Sequence, residues 1–104
     1  MARETLTPPQ IQPVPVTEPE LEPMYRVIIH NDDVTPMDFV ILVLERFFFI
    51  SFEAAAGITL YAHFNGAAYV QSLPQNEAQK RIARAHFAAG IEGYPLRFTM
   101  EPET

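Results

Sequence analysis

The sequence predicts an α+β domain: one three-stranded antiparallel sheet covered by three helices in the order β-α-α-β-α-β. Three observations carry this. One short run rich in β-branched and aromatic residues, a second strand-like run and one alternating run lie far apart along the chain. Between them fall segments with helical spacing, each opened by a capping residue or proline. Glycine and proline punctuate the junctions.

Tyr25-Arg-Val-Ile-Ile-His30 reads as the first strand. Asn31-Asp32-Asp33-Val34 is a polar break with turn chemistry. Thr35 is placed to cap a helix, Pro36 suits the first helical position, and Asp38 completes a Thr-x-x-Asp box. That helix is expected to run to about Phe49. Ser51 caps a second helix, which ends near His63, before Asn65-Gly66. Ala67 to Leu73 reads as a strand, and Pro74 opens a third helix through Ile82, Ala85 and Phe87 to Gly90. After the breaker Pro95, Leu96 to Met100 alternates as the last strand.

The domain is expected over residues 24–104. Residues 1–23 hold six of the ten prolines, together with Glu18, Glu20 and Glu22, and no aromatic residue. Such a stretch cannot bury enough apolar surface to offset its ordering entropy, so it is expected to be a disordered arm. It is either a passive terminus or a tether that engages a partner.

Composition narrows the function classes. The formal charge of −6 disfavours a nucleic-acid binder, which needs clustered Lys and Arg. With no cysteine, disulfides, thiolate metal sites and thiol nucleophiles are excluded. The same absence suits a reducing compartment. The first residues lack an apolar h-region, so no signal peptide is expected. The apolar run at Phe47-Phe48-Phe49-Ile50 is too short to span a bilayer. A cytoplasmic monomer is the expectation.

The polar cluster Asn31-Asp32-Asp33 and His63 are the candidate chemical groups. Each has a plainer explanation: a solvated turn, and a helix-end histidine meeting the last carbonyls. His86 reads as a surface residue of the third helix. A hydrolase using Asp33 and His63 is a competing reading. Against it, adjacent aspartates in an extended segment point opposite ways. The chain also has no His-x-x-x-His, no phosphate loop and no nucleophile elbow. A structural interaction domain on the same scaffold is the other alternative.

The stretch from Tyr25 to Phe49, with Asn31-Asp32-Asp33-x-Thr35-Pro36-Met37 followed by Asp38, Phe39 and Val40, resembles the opening of the ClpS family of adaptors. The resemblance continues through Leu60-x-x-His63, Pro95-Leu96 and Thr99-Met100-Glu101, covering about 24 to 101. It implies the same α+β fold and a non-enzymatic task. Peptides with a free amino terminus and a bulky first residue (N-degrons) would be bound and delivered to a ClpA- or ClpC-type AAA+ unfoldase with ClpP. No cofactor or metal is implied.

By the same resemblance, Asn31, Asp33 and His63 grip the α-amino group, with Asp32 supporting the turn and the local field. The chemistry suits a cation with three donors: an amide oxygen, a carboxylate and a neutral ring nitrogen all accept. The first side chain enters a pocket of Ile29, His30, Thr35, Met37, Val40, Thr59, Ala62 and Leu96. Thr59 stands where the family usually has methionine, Ala62 where valine is common, and His30 replaces an apolar residue. The pocket is therefore expected to be roomier and more polar. On the third helix the unfoldase-docking positions are Asn76, within Pro74-Gln75-Asn76 in place of a Thr-x-Glu opening, and Arg81 in place of a lysine. Val70-Gln71 replaces a Cys-Gly element. These changes point to a docking face tuned to a different partner.

Overall fold

The structure, a computed structural model, describes residues 22–104. The arm expected over 1–23 lies almost wholly outside the described residues. The elements follow the expected order: β1 (Met24–His30), α1 (Met37–Phe48), α2 (Phe52–Asn65), β2 (Ala67–Pro74), α3 (Gln75–Glu92) and β3 (Arg97–Pro102). β1 is the central strand, antiparallel to β2 on one side and β3 on the other. Ile29 sits opposite Ala68 and Phe98 in the two registers. The β1–β2 register slips between Val27 and Ile28, where Val70 has no opposite residue. Such a bulge adds twist to the strand that carries it.

Val27 and Ile29 project from β1 into the core, Ala68 and Val70 from β2, and Phe98 from β3. The alternation follows from the period of two along a strand. α1 supplies Val40, Val43, Leu44 and Phe48. α3 buries Ala78, Ile82, Ala85 and Ala89, a three-four spacing that selects one helix face. Three of those four are alanines, so α3 can lie close against all three strands. α2 packs on α1 and β2. Among the described residues no helix is long and apolar enough to cross a membrane.

Several junctions differ from expectation. The helix after the Asp turn starts at Met37, with Pro36 as its extended N-cap and no side-chain cap bond. The Thr35–Asp38 box does not form, because Thr35 turns its hydroxyl to Asp32 instead, 2.9 Å away. Ser51 caps α2 as expected, accepting from Ala54 N at 3.2 Å. Pro74 ends β2 rather than opening α3, and α3 runs past Gly90 to Glu92. Gly93, at φ 79°, makes the stop. Leu96 precedes β3 rather than starting it.

His86 is exposed on α3, yet its Nε2 accepts from Phe98 N of β3 at 2.9 Å. A protonated ring cannot accept there. Burial, and then the charge of Arg97, holds the His86 pKa below the ordinary histidine value. The unfolded chain therefore takes up this proton at higher pH than the folded one. The contribution to stability is complete above the ordinary histidine pKa and is lost as pH falls through and below it. Melting temperature is expected to drop between about pH 8 and pH 5. His86→Ala should lower it at the upper end and flatten the slope. Parallel profiles for both chains would show that the bond contributes nothing.

Candidate functional site

The turn after β1 is built around Asp32. Its Oδ1 accepts from Val34 N at 2.8 Å and from Thr35 N at 2.7 Å, and its Oδ2 from the Thr35 hydroxyl. Burial raises its pKa, but the bonds from Thr35 and Val34 outweigh this and leave it below the usual value. The carboxylate is thus ionised and directed into the turn. Both its neighbours, Asn31 and Asp33, are exposed. Adjacent side chains in an extended segment diverge, so fixing Asp32 inward sets the other two outward.

A second tie brings in the distant partner. Asn31 N donates to Gly66 O at 2.9 Å, and Gly66 N donates to Ala62 O at 2.8 Å. Gly66 caps α2 with φ 93°, a conformation that glycine adopts without the steric cost of a Cβ. The end of α2, with His63 in its last turn, is thereby held beside the turn after β1. The His63 ring meets Phe64 edge-on at 4.9 Å.

One cavity of about 160 Å³ is lined from five places in the chain. β1 gives Ile29 and His30, and the turn gives Asn31, Asp32, Asp33 and Thr35. α1 gives Met37 and Val40, α2 gives Thr59, Ala62 and His63, and the segment before β3 gives Leu96. Every residue expected for the amino-group grip and the side-chain pocket lines this cavity. Ile29, Val40, Thr59, Ala62 and Leu96 are buried and form its floor. Asn31, Asp33, Met37 and His63 are exposed at its rim.

Two floor and wall residues carry polar groups already engaged. The Thr59 hydroxyl donates to Ala55 O at 2.8 Å, within its own helix. His30 Nε2 pairs with Thr99 Oγ1 at 2.8 Å. Burial, then the charge of Arg97, lowers the His30 pKa, so the ring stays neutral where an ordinary histidine begins to charge. The site therefore presents an apolar floor, ionised Asp32 in the turn, and acceptors at the rim. Among the described residues no group of three or more metal-ligating side chains occurs.

The two α3 positions expected to dock the unfoldase are separate from this cavity and from each other. Five residues apart, Asn76 and Arg81 lie about 140° apart around the helix. Asn76 is exposed. Arg81 bonds Glu77 Oε2 at 2.9 Å and Gln71 Oε1 at 3.1 Å, and its guanidinium lies 4.8 Å from the Phe49 ring centre. Arg81 thus ties α3 to β2 and to the left-handed C-cap of α1. Sequence reading found the lining residues and missed their positioning partners. Gly66 reads as a helix stop, and nothing local marks its carbonyl as the partner of Asn31. Thr99 and His86 bond across 69 and 12 residues, beyond any local pattern.

The fold and cavity define a small recognition module. The chain belongs to the family described as "ATP-dependent Clp protease adaptor protein ClpS", whose model matches residues 20–99. It is 41% identical over 101 residues to the ATP-dependent Clp protease adapter protein ClpS 2 of Mesorhizobium japonicum, covering 96% of this chain and 97% of that one. It is 41% identical over 78 residues to the ClpS of Vibrio atlanticus, covering 75% and 74%. The structure of Agrobacterium tumefaciens ClpS2 bound to L-phenylalaninamide superposes with a TM-score of 0.76 at 34% identity. That match covers 79% of this chain and 99% of the other.

Proposed function

We propose that this Clp protease adaptor binds peptides and proteins with a free α-amino group and a bulky apolar first residue. It then hands them to a Clp AAA+ unfoldase paired with ClpP in the cytoplasm. The observation that carries the reading is an apolar floor directly beneath a rim of acceptors. Asn31, Asp33 and His63 receive the ammonium, while Asp32 holds the turn and adds negative charge. The first side chain enters between Ile29, His30, Thr35, Met37, Val40, Thr59, Ala62 and Leu96. An engineered apolar cavity of about 150 Å³ takes one benzene, so about 160 Å³ suits one aromatic ring. The related ClpS2 is bound to L-phenylalaninamide. That ligand carries a free amino group and a benzyl side chain, the two features the rim and floor match. No catalytic step is part of this function. The recognition domain spans 24–104, and residues 1–23 act as an arm needed in delivery. Asn76 and Arg81 contribute to the docking face for a ClpA- or ClpC-type unfoldase.

Calorimetry with a short peptide beginning in Phe, against the same peptide acetylated, tests the reading. Heat of binding from the free peptide alone is expected. Equal binding of both peptides, or of neither, overturns amino-terminal recognition.

Specificity turns on Thr59. Its hydroxyl donates within α2, so it is not free to reward a polar tip such as that of Tyr by donation. What it contributes to the cavity is its small size. Thr59→Met is expected to fill the floor and reject Ile and Val as first residues about tenfold more strongly relative to Leu. Affinities for peptides beginning with Leu, Phe, Tyr, Trp, Ile and Val would show this. An unchanged ranking would mean that position 59 does not set specificity.

A further inference from the structure

The outer face of α3 is unlike an ordinary solvated helix face. Phe87 and Ile91 are 73% and 68% exposed. With Phe47 of α1, Ala83, Arg84 and Ala88 they line an apolar groove between α1 and α3. Lys80 and Arg84, both exposed, lie along the same stripe nearer the start of α3. Read from that start, the stripe is two cations followed by two large apolar side chains. It lies opposite the buried positions Ala78, Ile82, Ala85 and Ala89.

We propose that residues 14–22 of this chain lie back along α3 and cover this groove. Three observations support this occupant over others. First, the chain enters the domain at the right place. Glu22 lies in a bend, and Pro23 O accepts from Gln75 N, the first residue of α3, at 3.3 Å. In the proposed arrangement the chain reverses at this bend, so that the preceding residues run along the helix. Second, the charges are complementary: Glu18 and Glu20 precede the bend, and Lys80 and Arg84 follow the start of α3.

Third, the spacings agree. A β-extended chain rises about 3.3 Å per residue and turns alternate side chains to one face, which places Glu20, Glu18, Val16 and Val14 about 7, 13, 20 and 26 Å from Glu22. A helix rises about 1.5 Å per residue, which places Lys80, Arg84, Phe87 and Ile91 about 7.5, 13.5, 18 and 24 Å from Gln75. Two glutamates thus meet two cations, and two valines meet two apolar side chains, in one register. Val14, Glu18 and Glu22 each precede a proline, which biases them to extended backbone. Pro15 and Pro19 lack an N–H, so the arm docks through side chains rather than as an added strand. Asn76 falls on the same stripe, one turn before Lys80, so the docked arm borders it.

The chain has no cysteine, so Thr17→Cys provides a unique attachment point for a nitroxide on the full-length protein. The amide signals of Ala83, Phe87 and Ile91 are expected to lose intensity relative to the reduced label, while those of Thr59 and Ala62 keep theirs. Lys80→Glu with Arg84→Glu should abolish the loss. Adding Glu18→Lys and Glu20→Lys to that chain should bring it back. Broadening spread evenly over the domain, or centred on another face, overturns the proposal. So does broadening that survives the double charge reversal. Mixing isotope-labelled chain lacking the nitroxide with unlabelled chain carrying it isolates contacts between molecules. If α3 signals fade there, a second copy occupies the groove and the intramolecular strap is wrong.

Discussion

An Asp33→Ala chain is expected to bind a Phe-initiated peptide ten- to more than a hundredfold more weakly and to melt at the same temperature as the parent. Asp33 is exposed beside Asp32, whose own oxygens are bonded within the turn. In the proposed grip its carboxylate receives the incoming ammonium. Hydrogen bonds to charged groups contribute roughly 1.5–3 kcal/mol, and each 1.4 kcal/mol is about tenfold in affinity. His63→Ala removes a second acceptor and should weaken binding over a similar range. Surface substitutions outside structural features shift stability by about 0.5 kcal/mol or less, so neither variant should unfold the domain. In the proposed grip the two groups meet the same ligand atom, so their effects should not add, and a double-mutant cycle measures the coupling. Titration of a fluorescent peptide against each chain gives the numbers. Full affinity in both single variants would remove the proposed grip.

The helices and strands were legible because each has its own local signal. Ser51 caps α2, Gly66 ends it, and the Tyr25–His30 run has the composition of a strand. The junctions were less so, because side chains there choose between partners that sequence ranks poorly. Thr35 had two options, capping a helix or bonding Asp32, and only the folded turn shows which prevails. The register slip at Val27/Ile28 has no glycine to announce it. From residue pattern alone, Asn31-Asp32-Asp33 reads as a solvated turn and His63 as a helix end. What joins them is the bond from Asn31 N to Gly66 O, a contact between segments 35 residues apart. The family resemblance supplied that juxtaposition before the structure did, along with Leu96, which closes the cavity from the far end of the chain. Arg81 shows the opposite case. The family resemblance makes it a docking group, while its bonds to Glu77 and Gln71 show a residue that ties elements together.

Replacing Phe48 by alanine is expected to be the most damaging single change to the fold. Phe48 is 1% exposed and the largest of the fully buried side chains. Its ring stacks on Phe98 with centroids 4.9 Å apart and planes 28° from parallel. It therefore joins α1 to β3, and Phe98 lies opposite Ile29, which lines the cavity. A Phe→Ala change in a packed core costs about 3–5 kcal/mol, from transfer and from the space left behind. Small domains hold only about 5–15 kcal/mol in total. For a domain of this size the melting temperature should fall by more than about ten degrees. Phe48→Leu keeps more of the packing and should fall between parent and alanine. Phe48 does not line the cavity, so peptide affinity measured well below the melting temperature should stay close to the parent value. Thermal unfolding and titration on the same samples separate the two effects. An alanine variant as stable as the parent would mean that the α1–β3 stack does not hold the core. A stable variant that had lost affinity would instead place Phe48 in the site.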